Sequence, residues 1–121
     1  MSNSLGCWKA DVISAIAPCS GGPARPKDED DVFYWGECNG QVAAMVMHGS
    51  SDAVIPLVEG EMARDIFLGE NECDETSTST DPSPCVAYDG CAKPVHWCEF
   101  SGGHDWPDFA GDGVWDFFAA Q

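Results

Sequence analysis

The chain has 121 residues, with 21 acidic against 5 basic side chains, 7 cysteines and 5 tryptophans. That length supports one domain with a modest core, burying about two thirds of the surface its unfolded chain exposes. A net charge of −16 excludes polyanionic partners, because nucleic acid binding runs on Lys and Arg neutralising phosphates, and no run approaches the roughly 20 apolar residues that cross a bilayer; neither nucleic acid nor membrane is an expected partner.

The cysteines do not fall in the paired C-x-x-C pattern of a zinc ribbon or redox motif, so disulfides in an oxidising compartment are expected. An odd count leaves at least one thiol free or paired elsewhere. The segment Met1 to Trp8 has no basic n-region, apolar h-region or cleavage site. Composition therefore reads as secreted while the start carries no export signal, and residues upstream of Met1 are expected to be missing.

In chain order, Asp11 to Pro18 is a short apolar, partly β-branched run that predicts a buried strand, and Pro23 to Asp31 is a Pro-rich, acidic loop. Within that loop Asp28 to Asp31 reads as solvated, without the spacing of a calcium loop. Gln41 to Met47 is almost continuously apolar, which predicts a strand covered on both faces as in a parallel sheet. After Pro56 the period changes: Val58, Met62, Ile66 and Phe67 predict an amphipathic helix packed on the sheet and stopped near Gly69. Residues 70–84 are acidic, hydroxyl-rich and proline-bearing, and read as a surface insertion.

Cys85 to Asp89 and Val95 to Phe100 predict a hairpin. A loop over Ser101 to Pro107 follows. The tail from Asp112, a plausible N-cap, reads as a final helix with Val114, Trp115 and Phe118 on its inner side. Trp97, Phe117 and the same two aromatics are assigned to the core. Strands interleaved with helices indicate an α/β architecture of about three parallel strands plus a hairpin strand, in a single domain over 1–121.

Two loops carry the chemistry. H-G-S-S-D-A-V-I-P (48–56) follows one buried strand, and G-G-H-D-W-P (102–107) follows the next long one. Sites in open α/β sheets form at the carboxyl ends of strands. An Asp on one such loop and a His on the next supply what nucleophilic acyl transfer needs: Asp52 orients the ring and His104 works as general base, then acid. His48 is assigned to packing at a strand end and His96 to a hydrogen-bonded place in the core or on the face of a strand. His48, Asp52, His104 and Asp108 lack the spacing of a metal motif. Ser50, Ser51 and Ser101 stand beside these loops without an elbow and are not credible nucleophiles. Trp106, two residues from His104, is a candidate to line an aromatic acyl pocket. Cys73, Cys85, Cys91 and Cys98 surround the hairpin and are expected to brace the histidine loop, in one of three connectivities.

With those two loops in this order, the chain resembles the α/β-hydrolase superfamily, in its extracellular feruloyl esterase and polyhydroxybutyrate depolymerase-like branch. The likeness extends through Ala15 to Pro18, Val95 to Phe100 and Val114 to Phe118. It implies the C-terminal part of a hydrolase sheet whose N-terminal half, with the G-x-S-x-G nucleophile elbow and the oxyanion donors, is absent, since no G-x-S-x-G occurs in these residues. Text like Met1 to Cys7 follows the elbow in relatives. The resemblance implies a secreted, cofactor-free carboxylic ester hydrolase acting on feruloylated plant cell-wall polysaccharide or small esters, with little activity in this chain alone. A relative acting on acetylated xylan or a polyester is the alternative within enzymes. A non-catalytic, disulfide-braced carbohydrate-binding module is the alternative outside them.

Overall fold

The computed structural model describes residues 1–24 and 37–121; most of the acidic loop read over 23–31 lies outside them. A helix α1 (Ser2–Trp8) leads into strand β1 (Ala15–Ile16), and β2 (Ala43–Gly49) is followed by helix α2 (Leu57–Glu70). Strands β3 (Ser77–Ser79), β4 (Val86–Tyr88) and β5 (Val95–Phe100) then precede helix α3 (Ala110–Ala119). The five strands form one mixed sheet in the order β1-β2-β5-β4-β3, with β1, β2 and β5 parallel and the other two antiparallel. This is the α/β architecture and the hairpin expected from the pattern. The first strand is shorter than the apolar run 11–18, whose beginning is taken up by a turn.

β2 is buried along its whole length because both faces are covered. Ala43, Met45 and Met47 meet Cys98, Phe100, Ala110 and Phe117 on the α3 side. Val42, Ala44 and Val46 meet Phe67, Val95 and Trp97 on the α2 side. The alternation follows from the two-residue repeat of a strand, which leaves no polar face on a central one.

The helices bury Phe67 and Phe117 as the apolar pattern predicts, with Val114 half-buried against the core, but the rest of each inward stripe differs. In α2 the inward residues are Gly60, Ala63 and Phe67, while Val58 is exposed. In α3 they are Ala110, Gly113 and Phe117; Trp115 is 72% exposed and Phe118 41%, so neither belongs to the core. In both cases small residues let the helix backbone approach its neighbours. A Cβ at Gly113 would press into Pro82. The N-cap of α3 is Phe109, and Asp112 lies inside the first turn, where a carboxylate favours the positive end of the helix dipole.

Within 70–84, Ser77–Ser79 pairs with β4 as a fully exposed edge strand. Asn71, wholly buried at the end of α2, donates from Nδ2 to the carbonyls of Val42 and Lys93 and so ties the helix end to the starts of β2 and β5. Cys73–Cys91 and Cys85–Cys98 are disulfide-bonded around the hairpin, and Cys7–Cys38 joins α1 to the chain ahead of β2. Cys19 is the free thiol.

Candidate active site

The two chemistry-bearing loops meet because β2 and β5 are parallel neighbours in register, with His48 opposite Glu99 and Gly49 opposite Phe100. Both strands therefore release their chains at the same end of the sheet. Backbone bonds stitch the exits together: Ser50 N–H donates to the Phe100 carbonyl at 2.8 Å, and Ser51 N–H to that of Gly102 at 2.9 Å. Gly49 is needed for that approach, since a Cβ there would overlap the carbonyl oxygens of Gly102 and Gly103.

Across this seam Nδ1–H of His104 donates to Oδ2 of Asp52 at 2.9 Å. Asp52 is buried, while the His104 side chain is 43% exposed. The other carboxylate oxygen, Oδ1, accepts the backbone N–H groups of Val54 (2.8 Å) and Ile55 (2.9 Å), closing an Asx-type turn. Burial alone raises the pKa of Asp52. The N–H groups of Ile55 and Val54, together with His104, outweigh it and hold the group below the usual carboxylate range. An ionised Asp52 fixes the imidazole as the Nδ1–H tautomer and leaves Nε2 as the basic nitrogen. No hydrogen bond to His104 Nε2 occurs among the described residues. The arrangement can hold a proton acceptor in one orientation and stabilise it once charged.

His48 is fully buried at the end of β2, as its assignment to packing anticipated. It is also near the carboxylate, with Nε2 at 2.9 Å from the Ile55 carbonyl and 3.5 Å from Asp52 Oδ2. Cys19 is a neighbour that sequence reasoning passed over. Its β-bridge to Met47 carries it to the same sheet end, and its thiol donates to the Asp105 carbonyl at 3.3 Å. Burial is the main cause raising its pKa, opposed by a Ser20 hydrogen bond and reinforced by Asp52. No local motif marks Cys19; only its position one strand away from β2 could have found it.

Trp106 is 57% exposed and borders an open cleft of about 420 Å³ with Phe100, Pro107 and Phe109. His96 lies away from this site, with its ring 4.9 Å from that of Phe117. Among the described residues no group of three or more His, Cys, Asp or Glu side chains is arranged to hold a metal ion, and no helix is long and apolar enough to cross a membrane.

No protein-family model matches the chain. Individual proteins do. It is 30% identical over 131 aligned positions to the probable feruloyl esterase C of Aspergillus niger, an alignment covering 99% of this chain and 46% of that protein. It is 29% identical to feruloyl esterase C of Emericella nidulans, with 99% and 46% covered. Against feruloyl esterase D of Neurospora crassa the identity is 30%, with 98% and 43% covered. The chain is thus similar along nearly its whole length to fungal feruloyl esterases, and it spans less than half the length of each.

Proposed function

We propose that this chain carries the acid and the base of a secreted Ser-His-Asp carboxylic ester hydrolase of the feruloyl esterase type, built on the C-terminal part of an α/β-hydrolase sheet. The observation that carries the reading is the 2.9 Å bond from His104 Nδ1–H to Asp52 Oδ2 between loops on adjacent parallel strands. The similarity to proteins named feruloyl esterases supports esters of ferulic acid as the substrate class, and the loop resemblance favours those on plant cell-wall polysaccharide.

In this reading the serine and the oxyanion donors lie outside these residues, which contain no G-x-S-x-G. As the serine oxygen bonds to the ester carbonyl carbon, its proton passes to His104 Nε2. Collapse of the tetrahedral intermediate breaks the bond to the alcohol, which leaves with that proton. Water then attacks the acyl-serine by the same route and releases the acid. Asp52 stays ionised and stabilises the imidazolium in both steps. Trp106 offers an exposed aromatic surface to the feruloyl ring. No cofactor has a role. Alone, the chain turns over little or no ester.

The test is a chimera in which this chain replaces the aligned part of feruloyl esterase C from Aspergillus niger. Hydrolysis of methyl ferulate by the chimera, lost on His104→Ala, is the expected result. A chimera that folds but hydrolyses no feruloyl, acetyl or polyester substrate overturns the reading. The exposed Trp106 and Trp115 favour carbohydrate binding as the second reading; retention of the isolated chain on insoluble xylan, together with an inactive chimera, would select it.

A further inference from the structure

His48 is not needed for the proton transfers just described, yet it is fully buried beside the carboxylate that serves them. Its Nε2 donates to the carbonyl of Ile55, the residue whose N–H is one of the two backbone donors to Asp52 Oδ1. The same Nε2 stands 3.5 Å from Asp52 Oδ2, the oxygen that receives His104. Its Nδ1 is buried and without a hydrogen-bond partner. It faces Gly60 of α2, where a Cβ would overlap the ring. A buried ring with one acceptor in reach and nothing for the second nitrogen has its tautomer fixed: the proton sits on Nε2.

From this geometry we infer that His48 is a positioning residue for the Asp52–His104 pair, holding the 52–55 turn through the Ile55 carbonyl so that Asp52 Oδ2 points at His104 Nδ1. The inference rests on the acid and base roles proposed above. The carboxylate is then held by the N–H groups of Val54 and Ile55 on Oδ1 and by His104 on Oδ2, while His48, with Nε2 3.5 Å from Oδ2, holds the turn through the Ile55 carbonyl. Helix α2 joins in through Gly60, whose lack of a side chain leaves room for the imidazole.

The test reads the tautomer of His104 by nitrogen-15 NMR of the imidazoles in the chain itself, at alkaline pH where free imidazoles are neutral. Two substitutions separate packing from hydrogen bonding: His48→Met fills the space without a donor, and His48→Gln keeps an N–H close to the Nε2 position. His48→Met is expected to move the His104 ratio toward the Nε2–H form by roughly fivefold, the equivalent of one hydrogen bond's net contribution, and His48→Gln to retain the parent ratio. Equal ratios in both variants, changed or unchanged, overturn the inference. Asp52→Asn is the control for the underlying pair. If it leaves the ratio unchanged, the acid–base reading falls; if it shifts the ratio while His48→Met does not, only the role of His48 falls. Should His48→Met fail to fold, the unsubstituted chain still decides, because a His48 found protonated on Nδ1 instead of Nε2 is incompatible with the proposed bond.

Discussion

Gly49 and Gly103 approach so closely, at the point where the two chemistry-bearing loops leave the sheet, that no methyl group fits between the α-carbon of the first and the carbonyl oxygen of the second. Gly102 closes the same gap. This contact sets the spacing of Asp52 and His104, because each stands a few residues beyond the seam and is carried on a loop hydrogen-bonded across it. Replacing Gly49 by Ala forces the loops apart. The expected cost is about 1–3 kcal/mol in denaturant unfolding, typical of overpacking. The His104 ring also loses Asp52, which NMR of the imidazoles detects as a change in tautomer. An Ala variant with parent stability and tautomer would show that the seam does not set the spacing.

Asp52→Asn keeps nearly the shape of the carboxylate and removes its charge. Val54 and Ile55 N–H can still bind a carbonyl oxygen there, so the turn should survive. His104 is then free to adopt the wrong tautomer. In the chimera with feruloyl esterase C, kcat should fall by about 10⁴ while KM for methyl ferulate changes little. A fall of less than about tenfold would mean that Asp52 does not orient the base.

The two loops that bring Asp52 and His104 together were legible because each combines a chemistry-bearing residue with neighbours whose backbone needs are unusual, Gly49 and Pro56 around Asp52 and Gly102, Gly103 and Pro107 around His104. Strand β2 was legible from continuous apolarity, and β5 as the second arm of a hairpin. What stayed hidden shares a physical cause. The inward faces of α2 and α3 are built on Gly60, Ala63, Ala110 and Gly113, whose contribution is absence of bulk, so apolar periodicity pointed to Val58, Trp115 and Phe118 instead. β3 is an exposed run of hydroxyl side chains paired through its backbone to β4, which leaves no apolar trace. The pairing of Cys85 with Cys98 follows the β4–β5 register, a three-dimensional fact that spacing does not encode, and Cys73 pairs with Cys91 outside the strands.

The Cys85–Cys98 bridge lies in the α3-side core, and Cys98 is two residues before the end of the strand that delivers the histidine loop. Cys73–Cys91 lies nearer the opposite end of the hairpin, beyond β4. Replacing Cys85 and Cys98 together by Ala should cost about 2–4 kcal/mol, from loss of the cross-link and of buried sulfur. The Cys73/Cys91 double variant should cost less, because those residues are only partly buried and sit against the edge of the other core cluster. Denaturant melts of the two double variants check the order. The reverse order would move the brace of the histidine loop to the outer bridge.

Cys19 offers a reporter for the charge on Asp52. Burial raises its thiol pKa, the Ser20 hydrogen bond opposes this, and Asp52 adds to the rise. The thiolate is the reactive form. Alkylation by iodoacetamide should therefore be slower at pH 8 than for a free thiol and accelerate with pH above that. Asp52→Asn removes the repulsion and should speed the reaction at fixed pH. An unchanged rate would mean that the carboxylate charge does not reach the sulfur.

Stability should fall on acidification in two stages. Burial against Phe117 depresses the pKa of His96, so the folded state prefers the neutral ring while the unfolded chain takes up a proton near pH 6.5. The unfolded state thus binds more protons between the two values, and stability rises with pH across that window. The contribution of His96 is complete above about pH 6.5 and is lost as pH falls through the lower folded value. Asp52 acts later. Its folded pKa is also depressed, so its contribution is present above the unfolded value near 3.9 and is lost as pH falls through the folded one. Asp81, Asp112 and Asp116 border the cleft that holds His96 and face any charge that develops there. His96→Gln removes the first stage only. Urea melts at pH values between 8 and 3 should show a flatter slope for the variant from pH 7 to 5 and the same steep loss as the parent below pH 4. Parallel curves across the upper window would show that the ring is already protonated as freely in the fold as in the unfolded chain, and that Phe117 does not exclude water from it.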